Sequence, residues 1–269
     1  MTNPATKTSL STFAFIAGLG ILLMAASPFA EFLVYQKLVI PGNAAQTAQN
    51  ILAHQVLFRV GILSYLFNFI CDIVVAWALY GLLKPVNQSF SLLTAWFQLV
   101  YATIGLVATI NLVSVLRLLT TADYLKVFGS DQLHTQVMLS LHAFRDGWSF
   151  GFFFFAIHLI CLGYLVYRSR YIPKFAGICL AIAGTGYLVN TLQPFLFPNA
   201  DISYIAITYF GELVFMFWLL IKGLRIKEPN SMVVLLLIGH ALAGIPIVIG
   251  SRVGYFAIFP ANLARSMDT

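Results

Sequence analysis

The chain has 269 residues, of which 60% are hydrophobic and only 9% are charged, whereas an ordinary soluble domain carries about 25% charged residues. No soluble core needs that much apolar surface, so the composition excludes the common soluble classes and predicts a membrane protein surrounded by bilayer lipid. The net charge of +6 does not indicate a nucleic-acid partner, because the basic residues are sparse and lie at the ends of apolar runs.

Apolar segments long enough to cross a bilayer as helices recur along the whole chain. In chain order they cover about residues 10–35, 56–83, 90–119, 137–167, 175–192, 202–221 and 232–250. The first six predict an all-α, polytopic transmembrane bundle that forms one domain over residues 1–228. The seventh belongs to an apolar C-terminal extension over residues 229–269, and its Gly and Pro content leaves a further helix and a re-entrant segment both open.

The first segment follows Lys7 and contains Pro28, where a bend is expected. A cleaved signal peptide is the alternative reading of such a start. The apolar run is longer than the hydrophobic region of a signal peptide, which favours a retained helix.

The basic residues next to the segments predict the orientation. With a cytoplasmic N-terminus, eight of them fall on the cytoplasmic side: Lys7, Lys84, Arg168, Arg170, Lys174, Lys222, Arg225 and Lys227. Five fall on the opposite side: Lys37, Arg59, Arg117, Lys126 and Arg145. Cytoplasmic loops carry the excess of Lys and Arg, so we expect the N-terminus on the cytoplasmic side of the membrane.

Three ionisable residues fall near the middle of predicted helices. Asp72, His158 and Glu212 precede the basic helix ends by ten to twelve residues, which is about 15–18 Å at 1.5 Å per residue. A charge at that depth costs at least about 2.5 kcal/mol, so each side chain should face the bundle interior. Asn68 lies one turn before Asp72 and completes a candidate midplane polar site.

A second group of polar residues lies toward the opposite membrane surface. His142, Arg145 and Asp146 occupy one helical turn at i, i+3 and i+4. Arg59 and Glu31 fall at a similar depth by residue count, so the five residues predict an outer polar cluster. This cluster is either the mouth of a binding site or a set of ion pairs that orders helix ends.

These patterns leave several functions open. Non-catalytic binding or transport of a small or lipid-like molecule, or support of a membrane partner, fits midplane carboxyl groups in a helical bundle. The alternative is a metal-dependent intramembrane hydrolase acting on a lipid, although no HExxH or serine motif is present. A purely structural role for the midplane residues is also open. No catalytic residue, metal ligand or cofactor is predicted, and the three cysteines lie singly inside apolar runs.

Three stretches carry a resemblance to a known family. They are the Arg59/Asp72 pair with LYGLLKPV, the block GYLVYRSRYIPKFAGICL, and the Glu212/Trp218 pair with WLLIKG. In these stretches, and over about residues 10–227, the sequence resembles the bacterial multi-pass membrane family named domain of unknown function 4386. The resemblance implies an integral membrane protein without an assigned activity, and it marks Arg59, Asp72 and Glu212 as part of the family pattern. Residues after Glu228 lie outside that pattern.

Overall fold

The computed structural model describes residues 9–25, 36–121 and 129–226. These residues contain seven α-helices: α1 (Leu10–Ala25), α2 (Ala44–Ala53), α3 (Gln55–Leu83), α4 (Gln88–Thr120), α5 (Ser130–Arg168), α6 (Lys174–Leu196) and α7 (Phe210–Ile221). Two 3₁₀-helices, Ser203–Tyr209 and Gly223–Arg225, flank α7. The chain divides into two units, residues 1–226 and 227–269. All described residues belong to the first unit.

The predicted all-α, polytopic bundle is confirmed. By length and composition, five described helical segments can each cross a membrane: α3, α4, α5, α6 and the continuous segment Ser203–Ile221. α1 is a shorter apolar helix of 16 residues. The predicted bend at Pro28 and the predicted seventh segment lie outside the described residues.

The outward faces of the helices are apolar, as a membrane protein requires. On α3 the buried residues recur every three or four positions and include Phe58, Tyr65 and Phe69. The opposite stripe of the same helix carries exposed large hydrophobic residues such as Leu63 and Ile70. A helix in water would place polar residues on that stripe, so α3 is suited to lipid contact on its exposed face.

Six helices form a closed ring. α1, α3, α4, α5, α6 and α7 each pack against the next helix in this order, and α7 returns to pack against α1. Neighbouring helices run antiparallel, since α3 residues from Phe69 to Tyr80 meet α4 residues from Gly105 back to Ser91. One end of the bundle therefore carries the ends of α3, α5 and α7 and the starts of α4 and α6. We call it the basic end, after Lys84, Arg168, Lys174 and Lys222.

The α5–α6 pair approaches most closely along a row of small residues. A Cβ atom added to Gly163 on α5 would lie 2.6 Å from the Gly177 carbonyl oxygen and 2.8 Å from the Ala181 backbone nitrogen. A Cβ added to Gly184 would lie 2.8 Å from the Ala156 carbonyl oxygen. The row Gly177, Ala181 and Gly184 thus faces α5 and allows backbone-to-backbone packing.

The structure differs from the sequence prediction at four helix boundaries. The short helix α2 was not predicted, although Asn43 caps it by accepting a 2.9 Å hydrogen bond from the Gln46 backbone nitrogen. α5 begins at Ser130, seven residues before the predicted start. α6 continues through Pro194 to Leu196, and the Gln193 side-chain amide donates to carbonyl oxygens of the following turn. The sixth predicted segment, residues 202–221, starts as the 3₁₀-helix Ser203–Tyr209.

A tyrosine hydrogen bond joins the α5–α6 turn to the end of α3 at the basic end. The Tyr171 hydroxyl, in the turn between α5 and α6, donates a 2.5 Å hydrogen bond to the Leu82 carbonyl oxygen. That carbonyl lies in the last turn of α3, where backbone acceptors have no partner within the helix. Burial raises the pKa of the Tyr171 hydroxyl above its ordinary value.

Candidate functional site

A cavity of about 420 Å³ lies inside the ring, and we call it the central cavity. All six ring helices contribute residues to its wall, as does the 3₁₀-helix before α7. Its polar lining residues are Asn68, Asp72 and Glu212, together with tyrosine hydroxyls and an indole. Small-molecule sites in proteins are commonly apolar cavities of 300–1,000 Å³ with a few polar groups, a description that this cavity meets.

Asp72 is the most deeply buried polar group of the central cavity, with 1% of its surface exposed. Its Oδ2 accepts a 3.3 Å hydrogen bond from the Asn68 side-chain nitrogen, one turn earlier on α3. Its Oδ1 accepts a 3.3 Å hydrogen bond from the Gln98 side-chain nitrogen on α4. Both amide groups present a donor to the carboxyl group, so their oxygens point elsewhere. The Asn68 Oδ1 and Gln98 Oε1 atoms are buried and have no hydrogen-bond partner within the described part of the chain.

Glu212, on the last ring helix, also lines the central cavity. It lies in the first turn of α7, directly after the 3₁₀-helix that ends at Tyr209. The Tyr187 side chain of α6 lines the cavity beside it. Glu212 and Asp72 both line the central cavity, so two carboxyl groups from different helices share one space.

A second, much smaller cavity adjoins the central one. It has a volume of about 20 Å³, which exceeds the roughly 10–15 Å³ that one water molecule requires. Its polar lining residues are Gln98, His158 and Glu212, and Glu212 also lines the central cavity. A single water molecule placed in this chamber would have polar residues on three different helices around it, α4, α5 and α7.

His158 is fixed in one orientation by the backbone of α4. Its Nδ1 lies 2.8 Å from the Thr94 carbonyl oxygen, and only 2% of the residue is exposed. A carbonyl oxygen can only accept, so Nδ1 must carry the proton in this bond. Nε2 of the neutral ring is then the acceptor, available to a donor in the small chamber. The ring also stacks on Phe155 at 5.8 Å.

Aromatic side chains make up half of the central cavity wall. They are Tyr101, Trp148, Phe152, Phe155, Tyr187, Tyr209 and Phe210. Four of them form a continuous stack across α5, α6 and the 3₁₀-helix, with centroid separations of 5.6 Å for Trp148–Phe152, 5.3 Å for Phe152–Tyr187 and 4.1 Å for Tyr187–Tyr209. The indole nitrogen of Trp148 donates a 3.1 Å hydrogen bond to the Tyr101 hydroxyl. The stack gives the cavity a stiff, polarisable wall.

The four residues of the predicted midplane site fall around these two cavities. Asn68 and Asp72 line the central cavity, His158 lines the small chamber, and Glu212 lines both. The structure thus brings side chains from three separate helices to one region. Their role stays a prediction.

Of the five residues of the predicted outer polar cluster, the structure places two at one cavity. His142 and Arg145 line a separate cavity of about 340 Å³, against the Pro41–Gly42 turn that leads into α2. Arg59 and Asp146 are exposed and do not line this cavity. Glu31 lies outside the described residues. His142 and Arg145 line this cavity and not the central one, and the role of the outer residues stays a prediction.

The aromatic wall is the part of the site that the sequence prediction missed. Trp148, Phe152 and Phe155 recur at i, i+4 and i+7 on α5, which marks one helix face. In a chain with this many phenylalanines, such spacing is equally typical of a lipid-facing stripe. Only the order of helices in the ring shows that this face points inward.

The described residues give the hydrolase alternative no metal centre. Within 9–25, 36–121 and 129–226, no group of three or more His, Cys, Asp or Glu side chains is arranged to hold a metal ion. Asp72, His158 and Glu212 therefore lie around the cavities without forming a ligand set.

Comparison with known proteins places the chain in a family. The family model described as Domain of unknown function (DUF4386) matches residues 16–223. An uncharacterized protein from Archaeoglobus fulgidus is 39% identical over 162 residues, which is 60% of this chain and 83% of the relative. No solved structure matches the chain. The matched residues include all six ring helices except the first turns of α1, and the chain belongs to the DUF4386 family.

Proposed function

We propose that this membrane protein binds a small or lipid-like molecule in the central cavity without changing it chemically, either as a binding protein or as the binding step of a transporter. The observation that supports the proposal is the cavity itself. It measures about 420 Å³ and is lined by all six ring helices, so a ligand inside it contacts every element of the bundle.

The polar groups of the cavity favour binding over catalysis. Asp72 accepts its hydrogen bonds from two side-chain amides, which are neither nucleophiles nor proton acceptors at neutral pH. His158 uses one ring nitrogen to hold a backbone carbonyl. A catalytic arrangement needs a nucleophile, a base and an orienting group within mutual hydrogen-bond reach. Fixed acceptors around an aromatic-walled space instead suit recognition of a ligand.

A cavity-filling variant tests the proposal. The full-length protein is extracted into native lipid nanodiscs and examined by mass spectrometry for molecules that co-purify in defined stoichiometry. Leu213→Trp adds bulk at a residue that lines the cavity. Val214→Trp is the matched control, because the neighbouring residue on α7 is 37% exposed and does not line the cavity.

We expect a bound compound in the wild-type protein and in Val214→Trp, and its loss in Leu213→Trp. Equal occupancy in both variants, or no bound compound in the wild type, would contradict the proposal. Elemental analysis of the same samples bears on the hydrolase alternative. If the wild-type protein contains stoichiometric metal and an Asp72→Asn/Glu212→Gln variant does not, the binding proposal would give way to the metal-dependent hydrolase.

The orientation belongs to the same proposal. We propose that the protein lies in a bacterial inner membrane with its N-terminus and its basic end in the cytoplasm, which agrees with the Lys and Arg excess there. A cysteine placed at Lys84 should react with a membrane-impermeant maleimide only after cells are permeabilised. A cysteine placed at Ala44, the first residue of α2 at the opposite end, should react in intact cells. The reverse labelling pattern would refute the orientation.

A further inference from the structure

We infer that the ligand of the central cavity is an organic cation: a protonated amine attached to an apolar or aromatic body. This inference rests on the proposed function and adds the chemical class of the ligand. Three features of the cavity support it: a surplus of hydrogen-bond acceptors, two carboxyl groups without a basic partner among the described lining residues, and an aromatic wall.

The first feature is the surplus of acceptors. Asp72 and Glu212 contribute carboxyl oxygens, and the amide nitrogens of Asn68 and Gln98 are already directed at Asp72. This arrangement leaves Asn68 Oδ1, at the central cavity, buried without a donor among the described residues, whereas the unpartnered Gln98 Oε1 belongs to the small chamber. Native structures rarely leave a buried carbonyl-type oxygen unsatisfied, because the desolvation penalty is not recovered. A primary ammonium group supplies three N–H donors and accepts none, which is the complement of this site.

The second feature is the charge of the cavity. Asp72 and Glu212 both line it, and none of the described residues that line it is Lys, Arg or His. Carboxyl groups within a membrane-spanning bundle are normally paired with a cation or face water. A ligand with one positive charge would supply the cation that the lining residues lack.

The third feature is the aromatic wall. Seven of the lining residues are aromatic, and the stack from Trp148 to Tyr209 runs along the wall formed by α5, α6 and the 3₁₀-helix. Ring faces attract cations, and the attraction strengthens when both partners are removed from water. The same rings provide apolar contact for the body of the ligand. An anion or a strongly polar neutral molecule would gain neither contribution.

A pair of matched probes tests the inference on the wild-type protein. Phenethylamine is protonated near neutral pH, and propylbenzene has the same number of heavy atoms with a methyl group in place of the ammonium. Binding to the full-length protein in nanodiscs is followed by the fluorescence of Trp148, which lines the cavity. Trp148→Phe keeps the other three tryptophans and corrects for changes outside the cavity and for probe dissolved in the bilayer.

We expect phenethylamine to bind at least about tenfold more tightly than propylbenzene. The ammonium group can pair with the buried carboxyl groups, whereas the methyl group of propylbenzene leaves them without a cation. Asp72→Asn/Glu212→Gln should abolish this preference while propylbenzene binding persists. Equal affinity for the two probes in the wild-type protein would overturn the inference and leave the proposed function standing. Signals from both probes that persist unchanged in Trp148→Phe would show that neither enters the cavity, and would count against both. The wild-type comparison decides the inference even if the double variant does not fold.

Discussion

The close contact between α5 and α6 predicts that an alanine at Gly163 destabilises the protein. Replacing it with alanine adds a Cβ atom that would lie 2.6 Å from the Gly177 carbonyl oxygen and 2.8 Å from the Ala181 backbone nitrogen. Both are backbone atoms, which cannot rotate away as a side chain can. The shorter distance falls 0.8 Å below the 3.4 Å at which ordinary contact begins. The two helices must therefore separate by most of that difference.

The expected cost combines two opposing effects. Overpacking of a close contact costs about 1–3 kcal/mol, and a shift of the helix pair also weakens the dispersion contacts along the whole row of small residues. Alanine is favoured over glycine in a helix interior by about 0.8–1.0 kcal/mol, which offsets part of the loss. We expect Gly163→Ala to lower the free energy of unfolding by about 1–2 kcal/mol in total.

Gly151→Ala is the matched control, because it makes the same substitution on the same helix. A Cβ there would meet only side-chain atoms, at 3.3 Å from Tyr101 and 3.5 Å from Ile104. Unfolding in mixed micelles of a mild detergent and SDS, followed by circular dichroism, should show Gly151→Ala at or above wild-type stability and Gly163→Ala below it. Equal stability of the two variants would refute the close approach of α5 and α6.

Three further predictions concern single contacts. Tyr171→Phe removes the donor to the Leu82 carbonyl and should cost about 0.5–1.5 kcal/mol in the same unfolding assay. Because burial raises the pKa of Tyr171, the unfolded chain releases this proton first, so the wild type should lose stability above about pH 10 and Tyr171→Phe should lose less. His158→Phe should cost about 1 kcal/mol through the lost bond to α4, measured by thermal unfolding, whereas His142→Phe at an exposed site should change little. Gly42→Ala should cost about 1–2 kcal/mol in thermal unfolding because Gly42 has φ +76°, and a neutral result would argue against that turn.

Much of the fold follows from segment length and from the cost of buried charge. The apolar runs end at polar turns, so α3 and α4 were predicted to within a residue or two of their observed ends. Asp72 and Glu212 were placed near the interior because a charge in hydrocarbon is expensive, an argument that needs only residue counts. The exceptions have local causes. α2 is too short and too polar to register as a span, and α6 continues two residues past Pro194 before it ends at Leu196.

The aromatic wall and the arrangement of the outer residues could not be predicted by counting residues or by helical periodicity. In a soluble protein an apolar stripe faces the core, but in a bilayer both faces of a helix are apolar. Helical periodicity therefore cannot distinguish Phe152, which lines the cavity, from Phe150, which is 58% exposed. Likewise, equal depth does not imply contact. Arg59 and Arg145 were placed at one level by counting, yet only Arg145 lines the cavity beside α2.

The closure of the ring between α1 and α7 has a consequence for biogenesis. Of the six ring helices, a ribosome delivers α1 to the membrane first and α7 last, so α1 waits through the synthesis of every other ring helix before its second neighbour exists. Until then Asp72 faces an incomplete wall, because Glu212, Tyr209 and Leu213 have not yet been made. A nascent chain that stops before α7 would thus expose the Asp72 carboxyl group to lipid or to the insertion machinery. Insertion of the last ring helix both completes the ring and encloses that carboxyl group.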